Sequence, residues 1–196
     1  QAALQRLPTG HPFPDATLLN AMAHVASGAG QSREAQQLLD TARSQHSGSG
    51  TFNRMYTEAN EGLLDLLQGR LRQATARFRL AVDATHAVNF HHTHGNAYAG
   101  VLYASVTYEA NELERAEHLL NVYLPLAWDV GLPDHVIHAC AMRARIAFTS
   151  GDVDAAMFTL SELEYLGSDR KLPRVLAAAK LERARLLLLQ GHGPAA

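Results

Sequence analysis

The stretch that decides the fold is residues 144–156, ARIAFTSGDVDAA, in which Gly151 stands between two small residues. Ala144 precedes this glycine by seven positions and Ala156 follows it by five. The pattern occurs five times, at intervals of 39, 42, 40 and 40 residues. Its central residues are Gly30, Gly69, Asn111, Gly151 and Gly191. A period of this size is typical of stacked helix-turn-helix units, so the sequence predicts a helical-repeat array.

The residues at three offsets from each turn share one character. Seven positions before each turn stand Ala23, Gly62, Ala104, Ala144 and Ala184, and five positions after it stand Ala35, Ala74, Ala116, Ala156 and Ala196. Five positions before each turn stand Val25, Leu64, Val106, Ile146 and Leu186, all aliphatic. Small groups let the helix before the turn (A) and the helix after it (B) approach closely. We expect Leu39, Phe78, Leu120 and Leu160 to fill the hollow beside each crossing.

The predicted fold class is an all-α superhelix of about nine helices, a tetratricopeptide-like solenoid without strands. Gly151 is predicted to end a helix in the left-handed conformation and Asp152 to cap the next one, while Pro133 and Pro173 begin helices. Residues 47–50, SGSG, are predicted to be a flexible loop. Pro125 falls inside a helical pattern and is expected to kink that helix rather than end it.

Composition limits the class of protein. Hydrophobic residues make up 47% and charged residues 18%, with a net charge of −2, so no global field favours nucleic acid. No apolar run is long enough for a membrane span, and the single Cys140 fits a reducing compartment. We expect one cytoplasmic domain over residues 1–196, about four and a half repeats cut from a longer chain, with no membrane contact.

The small–turn–alanine spacing, with a large apolar residue four positions later, resembles the tetratricopeptide repeat, although these units exceed its 34 or so residues. They also lack its aromatic marker near the start of helix A. Longer units of this kind are similar to those of the MalT-like group of large ATP-dependent LuxR-type transcription regulators. The phrases that carry the resemblance are residues 111–117, NELERAE, residues 123–127, YLPLA, and residues 181–187, LERARLL. It covers roughly Ala97 to Gly191 closely and the first two units only by pattern.

The resemblance implies a region that binds a small-molecule inducer or a regulatory protein or peptide and contacts other domains of the same regulator. Those domains would bind ATP and DNA. This chain has no phosphate-binding loop and no DNA-reading helix, so we expect it to bind neither, and to need no cofactor. The alternative is a generic tetratricopeptide protein-interaction scaffold unrelated to transcription. Self-association through the end after Leu189 is a further expectation.

Two features could carry chemistry. His86, His91, His92 and His94 are dense, but neighbouring histidines point apart and no cysteine is close, which favours a solvated loop over a metal site. Cys140 has His138 only two positions away, so a buried structural thiol is favoured over a nucleophile. No catalytic arrangement is recognised, and the chain is expected not to be an enzyme.

The candidate ligand surface follows from the resemblance, because helix A lines the concave face of tetratricopeptide arrays. The corresponding positions are His24, Tyr56, Asn60, Tyr98, Ser105, Glu109, His138, Met142, Arg145, Glu182 and Arg185. Arg145 and Arg185 stand one repeat apart, so they are predicted to form an anion-binding pair. The alternative is that both are ordinary arginines balanced by Glu109 and Glu182.

Overall fold

The computed structural model describes residues 10–89, 96–130 and 132–193. Within these ranges the chain forms nine α-helices and no strand, which confirms the predicted all-α helical-repeat class. The helices are α1 (Pro12–Gly28), α2 (Ser32–Ser44), α3 (His46–Leu67), α4 (Leu71–Asn89), α5 (Ala97–Glu109), α6 (Leu113–Val130), α7 (Pro133–Thr149), α8 (Val153–Asp169) and α9 (Pro173–Leu189). No helix in the described part of the chain is both long and apolar enough to span a bilayer.

The chain has two compact units, Gln1–Leu102 and Tyr103–Ala196, and the boundary falls inside α5. In the first unit α3 packs against α4, α2 and α1; in the second, α8 packs against α7 and α9. Odd-numbered helices are the A helices and even-numbered helices the B helices of the repeat. Consecutive A helices also touch directly, α1 with α3 and α7 with α9. The expectation of one domain over the whole chain stays a prediction.

The turns have the predicted geometry. Gly151 has a φ of +85°, and Asn111 reaches +61° at the equivalent position. The Asp152 N–H donates to the Ala147 carbonyl at 2.9 Å and the Gly151 N–H to the Phe148 carbonyl at 3.0 Å, a pairing that satisfies the last carbonyls of α7. The Asp152 side chain accepts from the Ala155 N–H at 2.9 Å and so caps α8.

The aliphatic residue five positions before each turn joins successive units. Leu64 of α3 lies in a cluster with Ala23, Ala35 and Leu39 of the preceding α1–α2 pair. Leu186 of α9 inserts in the same way beside the α7–α8 crossing. Val25, at the equivalent position of α1, is 69% exposed.

One local prediction changed. Residues 47–50 are not a flexible loop: α3 begins at His46, and only Gly50, at φ 76° and ψ 171°, interrupts its helical backbone. Glycine tolerates this left-handed φ without strain, so one residue is enough to reorient the helix. Pro125 lies inside α6, which continues to Val130, so the helix does not end at the proline.

Candidate functional site

The candidate site is a groove of about 340 Å³ between the last turns of the A helices α5, α7 and α9. We call it the arginine groove, and its lining residues are Tyr108, Arg145, Phe148, Thr149, Arg185, Leu186 and Leu189. All of them belong to the second unit. Two cations and two hydroxyl-bearing side chains therefore line the same space as three apolar side chains.

The two arginines meet at one carboxylate. Nε and Nη2 of Arg145 donate to the two oxygens of Glu182 at 2.6 and 2.7 Å, a bidentate pair that joins α7 to α9. Nη1 of Arg185, one helical turn after Glu182, donates to the same Oε1 at 3.2 Å. Glu182 is only 7% exposed. Arg145 and Arg185, which lie one repeat apart in the sequence, therefore share Glu182 as a partner.

Two guanidinium groups face one carboxylate in this trio. Burial alone would raise the pKa of Glu182, but the hydrogen bonds and charges of the two arginines outweigh it and hold that pKa below its ordinary value. The charge of the exposed Glu109 also acts on Arg145. Nη1 of Arg145 and the Nε and Nη2 of Arg185 take no part in the contacts with Glu182. Cationic donors thus remain beside the groove.

Tyr108 and Thr149 form the polar wall of the groove. Their hydroxyl oxygens lie 3.5 Å apart, on α5 and α7 respectively. Phe148, Leu186 and Leu189 supply apolar surface around them. A ligand with an anionic group attached to an apolar body matches this arrangement.

The other predicted positions of the second unit do not line the groove. Met142 is 5% exposed and packs inside the unit, while Ser105 and His138 are half-buried. Glu109 is exposed, and its charge contributes, after those of Glu182 and Tyr108, to raising the pKa of Arg145. Burial thus assigns Met142 to packing rather than to a ligand surface.

The four predicted positions of the first unit have packing contacts of their own. Asn60 is 2% exposed and donates to the backbone oxygen of Asn20 at 3.2 Å. Tyr98 is 2% exposed and stacks edge-on against His24 at 5.6 Å between ring centroids. Tyr56 packs against Phe52, and burial raises its pKa. Asn60 and Tyr98 are therefore packing residues, which corrects their place in the predicted ligand surface.

A charge cluster that the sequence pattern did not reveal lies between α2, α3 and α4. It pairs three arginines with three acids of α3, namely Arg43, Arg70, Arg77, Glu58, Glu61 and Asp65. The acids stand at i, i+3 and i+7, one face of a helix, which is the signal that could have found them. Because the charges balance, this cluster holds helices together and offers no excess charge to a ligand.

The histidines and the cysteine have separate outcomes. His91, His92 and His94 lie outside the described residues, as does the side chain of His86. Cys140 is 1% exposed, and burial, with a smaller contribution from Glu162, raises its pKa to about 12. Its thiol is therefore protonated at neutral pH, as the structural interpretation predicts.

Left-handed turns at 40-residue intervals, small residues at each crossing and direct contacts between A helices define a helical-repeat protein of the tetratricopeptide kind. The family model described as the MalT-like TPR region matches residues 1–196. The chain belongs to this family.

Two further comparisons concern single proteins. The chain is similar in structure to BtubC (BKLC) from P. vanneervenii, with a TM-score of 0.71 and 15% sequence identity over 97% of this chain and 80% of that one. At this identity the likeness shows the fold alone. Among curated proteins, no sequence matches the chain significantly.

Proposed function

We propose that this chain is the effector- or partner-binding region of a MalT-like, LuxR-type transcription regulator, and that the arginine groove is its binding surface. Membership of the MalT-like repeat family supports the place in a regulator. The convergence of Arg145 and Arg185 on Glu182 supports the binding role. The chain binds rather than catalyses, works in the cytoplasm and uses no cofactor of its own.

The ligand chemistry follows from the groove. Its volume of about 340 Å³ is in the range of small-molecule sites, and it also admits the end of a peptide. The ligand is an inducer or a regulatory protein segment that presents a carboxylate or phosphate next to an apolar group. The anion contacts Arg185, whose side chain is 50% exposed, more than Arg145, which is 22% exposed and held by Glu182.

Arg185 is the informative residue to change, because Arg145 also joins two helices. We expect Arg185→Ala to weaken binding of inorganic phosphate and of octanoate by about 1–3 kcal/mol, the range of charge-assisted contacts. Isothermal titration calorimetry with this chain measures it. Arg33→Ala, an exposed arginine of α2 in the first unit, is the matched control and leaves affinity unchanged. Equal affinities for Arg185→Ala and the wild type, or no binding of either probe, would refute the arginine groove as an anion site.

The place in a regulator has its own test, the flanking sequence of the full-length polypeptide. A phosphate-binding loop upstream and a helix-turn-helix downstream are expected. Their absence would favour the protein-interaction scaffold unrelated to transcription.

A further inference from the structure

A second surface lies on α8, a B helix, outside the arginine groove. We propose that it docks a segment of a partner protein that presents lysine or arginine beside apolar side chains. The surface is a stripe in which aromatic and acidic residues alternate, and we call it the aromatic–acidic stripe: Phe158, Glu162, Tyr165 and Asp169.

The spacing of the stripe places its members on one side of α8. They stand at i, i+4, i+7 and i+11, the repeat of a single helix face. The opposite face of α8 holds its buried residues, among them Leu160 and Leu163. Phe158 is 64% exposed and Tyr165 is 72% exposed, so neither aromatic ring is used by the core. Two large exposed rings on one face form an apolar surface whose hydration is unfavourable.

The C-terminal part of this stripe lines a groove of about 450 Å³. Tyr165 of α8 and Trp128 of α6 both line it, together with the buried Leu166. Glu162 and Asp169 complete the α8 side. Two aromatic rings and two carboxylates around one space suit a cationic side chain, since rings attract cations at their faces and carboxylates pair with them.

The negative charge of α8 also favours a cationic partner segment. From Val153 to Asp169 the helix has four acidic residues and no basic one. Glu164 pairs with Arg183 at 3.1 Å, whereas within the described ranges Glu162 and Asp169 form no ion pair. Arg170 also lines the groove, so two carboxylates face one cation and an excess negative charge remains. The negative end of the α8 dipole adds to it.

A protein segment fits this surface better than a free amine does. The groove is open, and the stripe continues to Phe158, about 10 Å along the helix from Tyr165 at 1.5 Å per residue. An occupant must therefore present a cation and an apolar group about two helical turns apart. One side of an amphipathic basic segment does so, as in other helix-docking grooves.

The experiment uses Trp128, which is the only tryptophan of the chain and lies in the groove. The probe is a synthetic amphipathic peptide with leucine and lysine at helical spacing, and the comparison peptide carries glutamate in place of lysine. We expect a saturable change in tryptophan emission with the lysine peptide alone, weakened by added salt. Lysine amide, a free amine, should bind far more weakly than the peptide.

Variants distinguish binding at the stripe from a general attraction of the peptide to acidic residues. Tyr165→Ala and the double variant Glu162→Gln with Asp169→Asn should each weaken peptide binding about fivefold or more. The matched control, Glu34→Gln with Asp83→Asn, removes two exposed carboxylates of the first unit and should leave affinity unchanged. All these side chains are exposed, so far-UV circular dichroism should be unaltered. The proposal is overturned by an absent emission change, by equal weakening in the control, or by lysine amide binding as tightly as the peptide.

Discussion

Gly62 of α3 faces the ring of Phe78 of α4 so closely that a Cβ atom at residue 62 would lie 2.5 Å from Cε1 of that ring. At the corresponding crossings of other units an alanine meets a leucine, as Ala144 meets Leu160. The larger phenylalanine thus requires the smaller glycine. The two residues share a fixed volume between helices A and B.

Gly62→Ala is expected to destabilise the protein by about 1–3 kcal/mol, because the added methyl group overpacks the α3–α4 crossing. Adding Phe78→Leu should recover most of this loss, since it recreates the alanine–leucine pair. Urea denaturation of the single and double variants measures both. Gly28→Ala is the control, because a Cβ atom there meets no atom within 4 Å. Equal free energies of unfolding for Gly62→Ala and Gly28→Ala would contradict the shared volume.

Gly167→Ala should also destabilise the protein. Here the added methyl group meets backbone, so a compensating side-chain substitution should not restore the stability. A Cβ atom at residue 167 would lie 2.7 Å from the backbone nitrogen of Leu176, where α8 crosses α9. The backbone of α9 must then move as a whole. We expect a lower Tm for Gly167→Ala than for Gly62→Ala, and no recovery with Leu176→Ala. Recovery would show that the contact involves only the side chain.

Lys171→Gly is expected to stabilise the protein by about 0.5–1 kcal/mol, because an L-residue in the left-handed region carries strain that glycine lacks. Lys171 has a φ of +53° and is exposed at the turn between α8 and α9. Lys180 is exposed inside α9, so Lys180→Gly should instead destabilise the protein by about 1 kcal/mol. Thermal denaturation compares the two. A loss of stability for Lys171→Gly would show that its side chain holds the turn.

Acid should weaken the link between α7 and α9. The pKa of Glu182 is lowered in the folded state, so its stabilising effect is complete above the unfolded pKa and is lost as pH falls through the folded one. Tm measured from about pH 7 down to pH 3 should therefore fall more steeply for the wild type than for Glu182→Gln, which does not titrate. Parallel pH profiles would show that this carboxylate is not coupled to folding.

Cys140 should resist alkylation in the native protein. At 1% exposure and with a pKa raised to about 12, it presents almost no thiolate to iodoacetamide at pH 8. Mass spectrometry should show labelling only after addition of denaturant. Rapid labelling of the native protein would mean that α7 opens locally.

The sequence was most informative where geometry restricts the residue type. A left-handed turn accepts few residues and a close helix crossing needs a small one, so the repeat pattern alone places Asn111 at a turn and Gly62 at a crossing. The burial of a side chain does not follow from the repeat pattern, because it depends on packing against the neighbouring helix. The register placed Asn60 on helix A, but Asn20 of α1 is what buries it. The stripe lies on α8, a B helix, whereas the resemblance assigns ligand contacts to the A helices, so the repeat register does not indicate it.

Both interpretations of Arg145 and Arg185 turned out to describe part of the structure. Glu182 pairs with both arginines and the charge of Glu109 acts on Arg145, in line with the structural alternative, while the two arginine side chains also line one groove, in line with the anion-binding hypothesis. Repeat spacing alone could not show this, because one carboxylate bridges both arginines only when α7 and α9 are in direct contact.

The buried contact between α1 and α3 has a consequence for how such a chain can change in evolution. The Asn20 side chain donates to the Thr57 hydroxyl, and the Asn60 side chain donates back to the Asn20 carbonyl. An α1 or α3 taken from another repeat would leave these amides and hydroxyls buried without partners. Duplication, deletion or exchange of a whole repeat is therefore disfavoured at this junction, and the first two repeats should be inherited together as one piece.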